Sequence, residues 1–504
     1  MTLRKYAVII FSVTLLGSLI SIPSAQAAQS AKLGAVCAKA GQKQTVSGKK
    51  FTCVKSGTKN IWKSSSETTT NFTFNTLCDT DPGVPADWAK YQQFAKKTFG
   101  CARPYRFLDV ALPAEKPKTE LTPIALRAST SECKIPEQEN NFNNTGHRLN
   151  GWKFNGDVQI QVIPVEFTDF KATASPEKEY GKYLTYIKDM FYKLSDGNTR
   201  ITFRTPKEYI KTGASLQSFV IPGEIVKNNG RFKWKNIDTS AYQKAVYTAA
   251  DAVIDFKDID LAIVIVPFSV PAEFIPHNQG YRMDNVSTSE GLVEYNYLMP
   301  PATEVNDMSW SGVEPFLHLH EIFHSMGILN DHDGDDMGRA GPNLGTGMWG
   351  HMSGMQTDFL IWDKWLAGMI KDSQVICARA NETSVNWIKP GGIFGNFEKV
   401  VVVPLSNTKV IVIESMRAAG INFKLPVSYR GALVYVVDAA STAHAGGINV
   451  IRPSQRTGSV NGPYGFVLAD APLKNGESLT VEGHKITVVE SGAFGDVVKV
   501  EKAG

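Results

Sequence analysis

The apolar positions between about residue 155 and residue 372 follow two alternating spacings. They first recur at close to every second position, which predicts a strand: Val158, Ile160, Val162 and Val165. They then recur at intervals of three and four residues, which predicts an amphipathic helix: Leu184, Ile187, Phe191 and Leu194. A second helical pattern covers 241–253, and an apolar run covers 261–266. Alternating strands and helices indicate an α/β domain, which we place at 151–372.

The pattern changes after about residue 373, where short runs rich in β-branched residues are separated by Gly, Asn and Pro. These runs lie at 400–403, 410–413, 433–437 and 486–489. They predict short strands, so we expect a β-rich C-terminal domain over 373–504. The total of 504 residues also requires several domains, because a single hydrophobic core rarely grows past about 250–300 residues.

Residues 1–27 have the layout of a secretory signal peptide. Arg4 and Lys5 precede an apolar run over 8–19, and small residues surround the expected cleavage site after Ala27. The run is shorter than the roughly 20 residues that span a bilayer, so a membrane anchor is the less favoured interpretation. We therefore expect a secreted, extracellular protein without a transmembrane segment.

The cysteines are expected to form disulfides, because an even number in an exported chain favours bonding over thiol chemistry. The chain has six: Cys37, Cys53, Cys78, Cys101, Cys133 and Cys377. Six cysteines can pair in many ways, and the sequence does not choose among them. Pairing neighbours gives Cys37–Cys53 and Cys78–Cys101 and leaves Cys133–Cys377 as a long-range bond. We take this arrangement as our prediction.

Positive charge is concentrated near the N-terminus. The whole chain has 53 basic and 49 acidic residues, a net charge of +4, which does not indicate a nucleic-acid partner. Residues 28–70, however, hold eight lysines against one glutamate, a balance of +7. We interpret 28–66 as a small disulfide-stapled basic module and 67–150 as a linker or propeptide region. The module could bind an anionic cell-surface polymer, and a solvated lysine surface without a partner is equally compatible with the sequence.

Histidines mark the segment with the strongest chemical signal, since five of the nine lie within 318–351. Residues 320–324 read H-E-x-x-H. On a helix, residues i and i+4 lie on the same face, so His320 and His324 can each give an imidazole nitrogen to one Zn²⁺. Glu321 can then act as the general base toward the water that the metal activates.

The residues around this motif support a helix. Pro315 suits a first turn, and Gly327 suits the position just after the last turn. Apolar residues recur on one face: Phe316, Leu319, Phe323 and Met326. His318 is turned away from the zinc pair. His351 could contact substrate, although a structural role is favoured.

A catalytic zinc site needs a third protein ligand and one open position. The metzincin pattern H-E-x-x-H-x-x-G-x-x-H supplies this ligand ten residues after the first histidine, where this chain has Asn330, a poor zinc ligand. Asp331 and His332 follow, and both could coordinate. No glutamate occurs between Glu321 and Glu382, which disfavours a thermolysin-like site. An acidic run here could also bind Ca²⁺, or form a solvated turn: Asp331, Asp333, Asp335 and Asp336.

Together these motifs resemble the immune-inhibitor-A-type secreted bacterial zinc metalloproteases, a metzincin-like family. The main matches are the H-E-x-x-H-x-x-G motif, the aspartate after it, a W-x-x-M-S-G-like turn and a W-D-K-containing helix: 320–327, Asp331, 349–354 and 362–368. Weaker matches lie at 165–169, 413–417 and 431–438.

The resemblance implies an α/β metzincin-like catalytic domain with Met352 in a Met-turn beneath the metal. It also implies one zinc ion on His320, His324 and Asp331, and it makes a calcium ion plausible. One extra residue precedes Asp331 compared with the family. His332 therefore stays an alternative ligand, and Glu414 a lesser one.

The sequence thus predicts a secreted zinc-dependent endopeptidase that acts on protein or peptide substrates, with Glu321 as its base. One alternative is a catalytically degraded, surface-binding protein that keeps the protease fold. Another is a zinc hydrolase of other amides, such as cell-wall peptides. Measurement of bound zinc distinguishes the first alternative from the endopeptidase, and a panel of substrates distinguishes the second.

Overall fold

The computed structural model describes two compact units, 1–70 and 71–504, which we treat separately. The described segments are 36–46, 49–56, 59–64, 107, 109–138, 145–147, 154–228, 232–271, 273–275, 281–299, 314–325, 345–352, 357–422, 425, 427–441, 447–456 and 467–504. The predicted signal peptide and the predicted Cys78–Cys101 bond lie outside them.

The smaller unit is a three-stranded antiparallel sheet of β1 (Lys43–Val46), β2 (Lys49–Ser56) and β3 (Lys59–Ser64). Its core contains Phe51, Trp62 and the predicted Cys37–Cys53 disulfide, which is confirmed. So small a core buries little apolar surface, and a covalent cross-link compensates by constraining the unfolded chain.

The α-helices and β-strands described in the larger unit lie between residues 156 and 502. In chain order they are β4 (Gly156–Glu166), α1 (Pro176–Leu194), β5 (Thr199–Arg204), β6 (Ile210–Lys211), β7 (Val220–Asn228), β8 (Phe232–Ile237), α2 (Thr239–Asp251), β9 (Leu261–Ile265), β10 (Tyr281–Arg282), β11 (Val286–Thr288), β12 (Gly291–Val293), β13 (Asn296–Leu298), α3 (Glu314–Ser325), α4 (Ile361–Leu366), β14 (Val375–Cys377), β15 (Ser384–Ile388), β16 (Val400–Pro404), β17 (Lys409–Met416), β18 (Gly431–Asp438), β19 (Ile448–Val450), β20 (Ser478–Val481), β21 (His484–Gly492) and β22 (Gly495–Lys502). No helix within the described segments is long and apolar enough to cross a membrane.

A mixed sheet with strand order β10-β13-β9-β4-β5 forms the first half of this unit, and β6 also pairs with β4. Strands β13, β9, β4 and β5 are parallel, whereas β10 is antiparallel and lies at the edge. Alternate side chains of β4 enter two cores: Val158 and Ile160 pack with α1 and α3, and Ile163 and Val165 pack with α2. Because successive strand residues face opposite sides, α1 and α3 cover one face and α2 covers the other. The predicted α/β pattern is confirmed.

Local signals define where the first two helices begin. Ser175 precedes α1 and accepts a hydrogen bond from the N–H of Lys178 at 3.3 Å, and Pro176 takes the first helical position. Asp238 accepts one from the N–H of Ala241 at 2.9 Å at the start of α2. These caps satisfy N–H groups that have no partner inside a helix. The helix predicted over 241–253 begins two residues earlier because Asp238 caps it.

The second half of the larger unit contains two sheets that pack face to face. One has the order β14-β16-β17-β18-β19 and the other β15-β22-β21-β20. Their shared core includes Val401, Ile411 and Val434 from the first sheet and Val488 and Val498 from the second. The opposite face of the first sheet belongs to the same apolar core as α1, α3 and α4. The boundary predicted at 372–373 therefore lies inside one compact unit.

The described part of the predicted linker or propeptide region, 109–138, packs against the C-terminal strands. The N–H of Thr122 donates to Val385 O at 2.9 Å, and its hydroxyl accepts from the N–H of Val385 at 2.8 Å. The predicted Cys133–Cys377 disulfide is confirmed and fixes the end of this segment to β14. This part of the segment thus belongs to the fold of the larger unit.

A buried ion pair connects the turn after α1 to the C-terminal half. Asp196 and Lys399 lie 2.7 Å apart, and both side chains are 2% exposed. Asp196 also accepts hydrogen bonds from Gln374 Nε2 at 2.7 Å and from the N–H of Gly395 at 2.9 Å. Three donors thus converge on one carboxylate, which compensates for its removal from water.

Replacement of Asp196 by Asn should lower the free energy of unfolding by about 3 kcal/mol, because it leaves the Lys399 ammonium buried without an anion. Asparagine tolerates the positive φ of 51° at this position, so the variant tests the charge rather than the backbone. Urea unfolding measures the change. The double variant Asp196→Asn, Lys399→Met should recover most of it; an equally unstable double variant would contradict the explanation.

Candidate active site

Helix α3 carries the H-E-x-x-H motif, as predicted. Leu319, Ile322 and Phe323 are fully buried and fix one side of the helix in the core. The ring of Phe323 stacks on that of Phe359 at 4.0 Å and lies parallel to Phe191 at 6.0 Å. The predicted apolar face is confirmed at Leu319 and Phe323. Phe316 and Met326 fall among side chains that the structure does not describe.

The two expected zinc ligands of the motif lie one helical turn apart on α3, because positions 320 and 324 both belong to the helix. The structure describes the side chain of His320 but not that of His324, and Asp331 and His332 lie outside the described residues. Among the side chains that are described, no three His, Cys, Asp or Glu residues form a group that could hold a metal ion. The full ligand set therefore stays a prediction.

The orientation of His320 is set by a hydrogen bond to the main chain. Its Nδ1 lies 3.0 Å from the carbonyl oxygen of His351, and the residue is only 6% exposed. A carbonyl oxygen can only accept, so the hydrogen of the neutral ring is on Nδ1 and the lone pair is on Nε2. Metal-binding histidines commonly show this arrangement, in which a carbonyl holds one ring nitrogen and the other coordinates. The geometry of His320 thus fits a zinc ligand.

The carbonyl that His320 contacts belongs to a tight turn over 345–352, which we call the 345–352 turn. Thr357 closes it: its hydroxyl accepts from the N–H of Gly350 at 2.9 Å and donates to Met348 O at 3.2 Å. Gly350 has a φ of 90°, a conformation that favours glycine. The sequence predicted a turn around Met352, which is fully buried.

The C-terminal half of the unit also forms hydrogen bonds to this turn. The N–H of Met348 donates to Val467 O at 2.9 Å, and the indole N–H of Trp349 donates to Leu468 O at 2.8 Å. At Gly347, any side chain would collide with Val467 O, since a Cβ there would lie 2.5 Å away. The close approach of the two backbones therefore requires glycine at this position.

His351 has a structural setting. Its side chain is fully buried, its ring packs on Phe359 at 4.6 Å, and its Nδ1 lies 3.2 Å from Thr357 O. Because that partner is also a carbonyl, Nδ1 is the donor. Burial favours the structural role over a substrate contact.

His318 lies on another side of α3, as expected, and contacts the sheet. It is fully buried, and its Nδ1 is 3.2 Å from the hydroxyl of Tyr297 on β13. Burial lowers the pKa of His318 to about 3, so the ring is neutral at pH 7. The pKa of Tyr297 is raised by burial and then by the charge of Glu321. The pair of His318 and Tyr297 thus lies close enough to Glu321 to interact with it electrostatically.

Glu414, the lesser alternative for the third ligand, belongs to β17, and its side chain contacts the N-terminus of α4. Its Oε1 is 3.4 Å from the N–H of Ile361, and the hydroxyl of Tyr435 also bonds to its carboxyl group. The residue is 3% exposed. Burial raises its pKa to about 8, so the carboxyl group is mainly protonated at neutral pH. These contacts give Glu414 a structural role at the start of α4.

A buried ion pair lies directly after the residue that closes the 345–352 turn. Lys364 Nζ is 2.7 Å from Asp358 Oδ2, with side chains 2% and 6% exposed. The N–H of Asp358 donates to Asn422 Oδ1 at 2.8 Å. Sequence reasoning missed Thr357, Asp358 and Tyr297, because their partners are main-chain or distant groups that no local spacing brings together. Lys364 was noticed only as part of the W-D-K segment.

Comparison with known proteins yields little. No protein-family model matches the chain, and no curated protein matches it. Among solved structures, the chain is similar to a catalytically inactive OgpA from Akkermansia muciniphila in complex with an O-glycopeptide (glycodrosocin) substrate. The identity is 11%, the TM-score is 0.22, and the match covers 56% of this chain and 75% of that one. A TM-score of 0.22 is too low to assign the fold or the activity from this similarity.

Replacement of Glu414 by Gln should flatten the pH dependence of stability. The folded pKa of about 8 lies above the ordinary value of 4.5, so the native state binds this proton more tightly. The contribution of Glu414 to the free energy of unfolding should therefore be greatest below pH 4.5 and should fall as the pH rises to about 8, by at most about 1.4 kcal/mol per pH unit.

Urea unfolding of the wild type and the Glu414→Gln variant between pH 5 and pH 7.5 measures this slope. The exposed Glu382→Gln variant is the control and should keep the wild-type slope. Parallel curves for the wild type and Glu414→Gln would show that Glu414 is not the titrating group.

Proposed function

We propose that this chain is a secreted zinc-dependent endopeptidase with a metzincin-like catalytic domain, and that it hydrolyses peptide bonds in protein or peptide substrates. The observation that carries the proposal is the hydrogen bond from His320 Nδ1 to the carbonyl of His351, made from an H-E-x-x-H helix. With Nδ1 as the donor, the lone pair of a neutral ring is on Nε2, the nitrogen that would bind a metal. His351 makes the same kind of contact, so the position of His320 in the H-E-x-x-H motif is what distinguishes the two residues.

The residues that would hold zinc are His320 through Nε2, His324 and a third ligand. Asp331 is the proposed third ligand, on the family resemblance, with His332 as the alternative and Glu414 the least favoured because it bonds to α4 and Tyr435. Zinc, when bound, supplies a Lewis acid that polarises a carbonyl group and makes water more acidic. A calcium ion on the acidic residues that follow α3 is a further part of the proposal.

Glu321 is the proposed general base. It follows His320 directly on α3 and is half-buried, so water can reach it while the helix holds its position. Its carboxylate takes a proton from the attacking water and returns it to the nitrogen of the leaving amine. The neighbouring His318 is neutral and buried, so it does not compete as an ionised base at neutral pH.

Replacement of Glu321 by Gln should preserve zinc binding and remove hydrolysis. The amide keeps the size of the side chain but cannot take up the proton, and general-base catalysis is worth about 10²–10⁴-fold in rate. Casein cleavage and the zinc content of the purified chain are the two measurements.

Glu177→Gln, which changes an exposed carboxylate in the first turn of α1, is the matched control and should keep full activity. Casein cleavage that survives in Glu321→Gln would refute the base. A wild-type chain that neither binds zinc nor cleaves casein would support the degraded, surface-binding alternative.

Replacement of Thr357 by Val should weaken zinc binding about 10–100-fold, the usual cost of removing a group that orients a metal ligand. The change leaves the N–H of Gly350 and the carbonyl of Met348 without their hydroxyl partner, which loosens the turn that presents His351 O to His320. Competition with a chelating dye measures the affinity.

Thr357→Ser keeps the hydroxyl and is the matched control, so its zinc affinity should stay close to wild type. Thermal unfolding of the zinc-free chains shows whether the Thr357→Val variant is folded. Equal zinc affinities for a folded Val variant and the Ser variant would show that the turn does not orient His320.

A further inference from the structure

The smaller unit has one sheet face that its own core does not use. Phe51 and Cys53 are buried, and the register places Trp62 opposite Cys53. These residues mark one face of the sheet, because side chains alternate along a strand and paired residues share a face. The other face carries Thr52 and Val54 of β2, which are only partly buried.

Lysines lie on this second face in all three strands. Thr52 is paired with Lys43 on β1 and with position 63 on β3, and Thr45 is paired with position 50. Lys59 is paired with position 56, which lies on the same face of β2 as Thr52 because the two positions are four residues apart. The register thus places four lysines on the face opposite the core: 43, 50, 59 and 63. We call this the lysine face. Lys43 and Lys59, whose side chains the structure describes, are both exposed.

The spacing concentrates this charge. Positions 43 and 63 flank the same residue of the central strand, so they lie about 10 Å apart, twice the distance between neighbouring strands. Residues 36–64 contain seven lysines and no acidic residue, so no carboxylate within this segment can pair with them. Like charges on one sheet face repel one another. A bound polyanion would relieve this repulsion.

We infer that the lysine face binds an anionic, base-free polymer, such as a phosphate-linked or carboxylate-bearing chain of a cell surface. The aromatic residues of the unit favour this class over nucleic acid. Phe51 and Trp62 are 8% and 3% exposed, on the core face, so they offer no surface on which bases could stack. Proteins that bind single-stranded nucleic acid combine basic grooves with exposed aromatic side chains. Lysine ammonium groups act as point charges and suit a flexible chain of anionic groups.

The test uses the full chain and a pair of variants with the same loss of charge. Lys43→Gln, Lys59→Gln neutralises two positions of the lysine face. Lys188→Gln, Lys257→Gln is the matched control and neutralises two exposed lysines of the larger unit. The probes are long-chain inorganic polyphosphate and an oligothymidylate with the same number of phosphates. Fluorescence anisotropy measures both affinities between about 50 and 200 mM salt, the range over which phosphate contacts are resolved.

The wild type and the control should bind polyphosphate with the same dependence on salt. The Lys43→Gln, Lys59→Gln variant should bind more weakly, and its slope of log affinity against log salt should be smaller by about 1.4, since each phosphate contact contributes about 0.7. Peptide mapping by mass spectrometry under non-reducing conditions, which detects the Cys37–Cys53 disulfide, shows that the unit is folded. Identical slopes for the variant and the control would overturn the proposal that the lysine face binds the polymer. Tighter binding of oligothymidylate than of polyphosphate would overturn the choice of a base-free polymer.

Discussion

The hydrogen bond between His320 and the carbonyl of His351 is the contact on which the rest of the candidate site depends. The i, i+4 spacing puts positions 320 and 324 on one face of α3, but it does not decide which ring nitrogen of His320 carries the lone pair. That decision is made by the 345–352 turn, which Thr357 closes and which Val467 and Leu468 hold from the C-terminal half. The motif lies on α3, whereas the orientation of His320 depends on a later turn and on residues of the C-terminal half.

The buried charges of the larger unit fit this arrangement. Asp196 and Lys399 connect the turn after α1 to the loop before β16, and the pair of Asp358 and Lys364 connects the segment after the 345–352 turn to α4. A buried ion pair adds little net stability compared with an apolar pair, but separating its members is costly. Such pairs therefore penalise any relative shift of the elements they join. They sit where a shift would move the acceptor of His320.

Much of the local structure follows from the sequence, because it depends on neighbours along the chain. The apolar spacing of α1, the buried run of β9 and the disulfide Cys37–Cys53 were all predicted and observed. The long-range disulfide Cys133–Cys377 was predicted only because these two cysteines were left after neighbours had been paired. The roles of Thr357 and Tyr297 could not be predicted, since each depends on a partner that only the folded chain brings close. The third zinc ligand stays a prediction for a different reason. Asp331 and His332 are adjacent in sequence, and their difference depends on the path of the backbone after α3.

The two units of the chain carry net charges of opposite sign, which the net charge of the whole chain does not show. Residues 28–70 carry +7, whereas residues 71–504 carry five more acidic than basic residues, which leaves +4 once the two basic residues of the predicted signal peptide are added. At physiological salt a charge acts over about 8 Å, so an anionic surface senses each unit by its own charge and not by the total. The basic unit is attracted to such a surface, and the larger unit with the candidate active site is weakly repelled. Attachment and hydrolysis would then be separate properties of one chain, because the lysines proposed to bind the polymer are not part of the site proposed to cut the substrate.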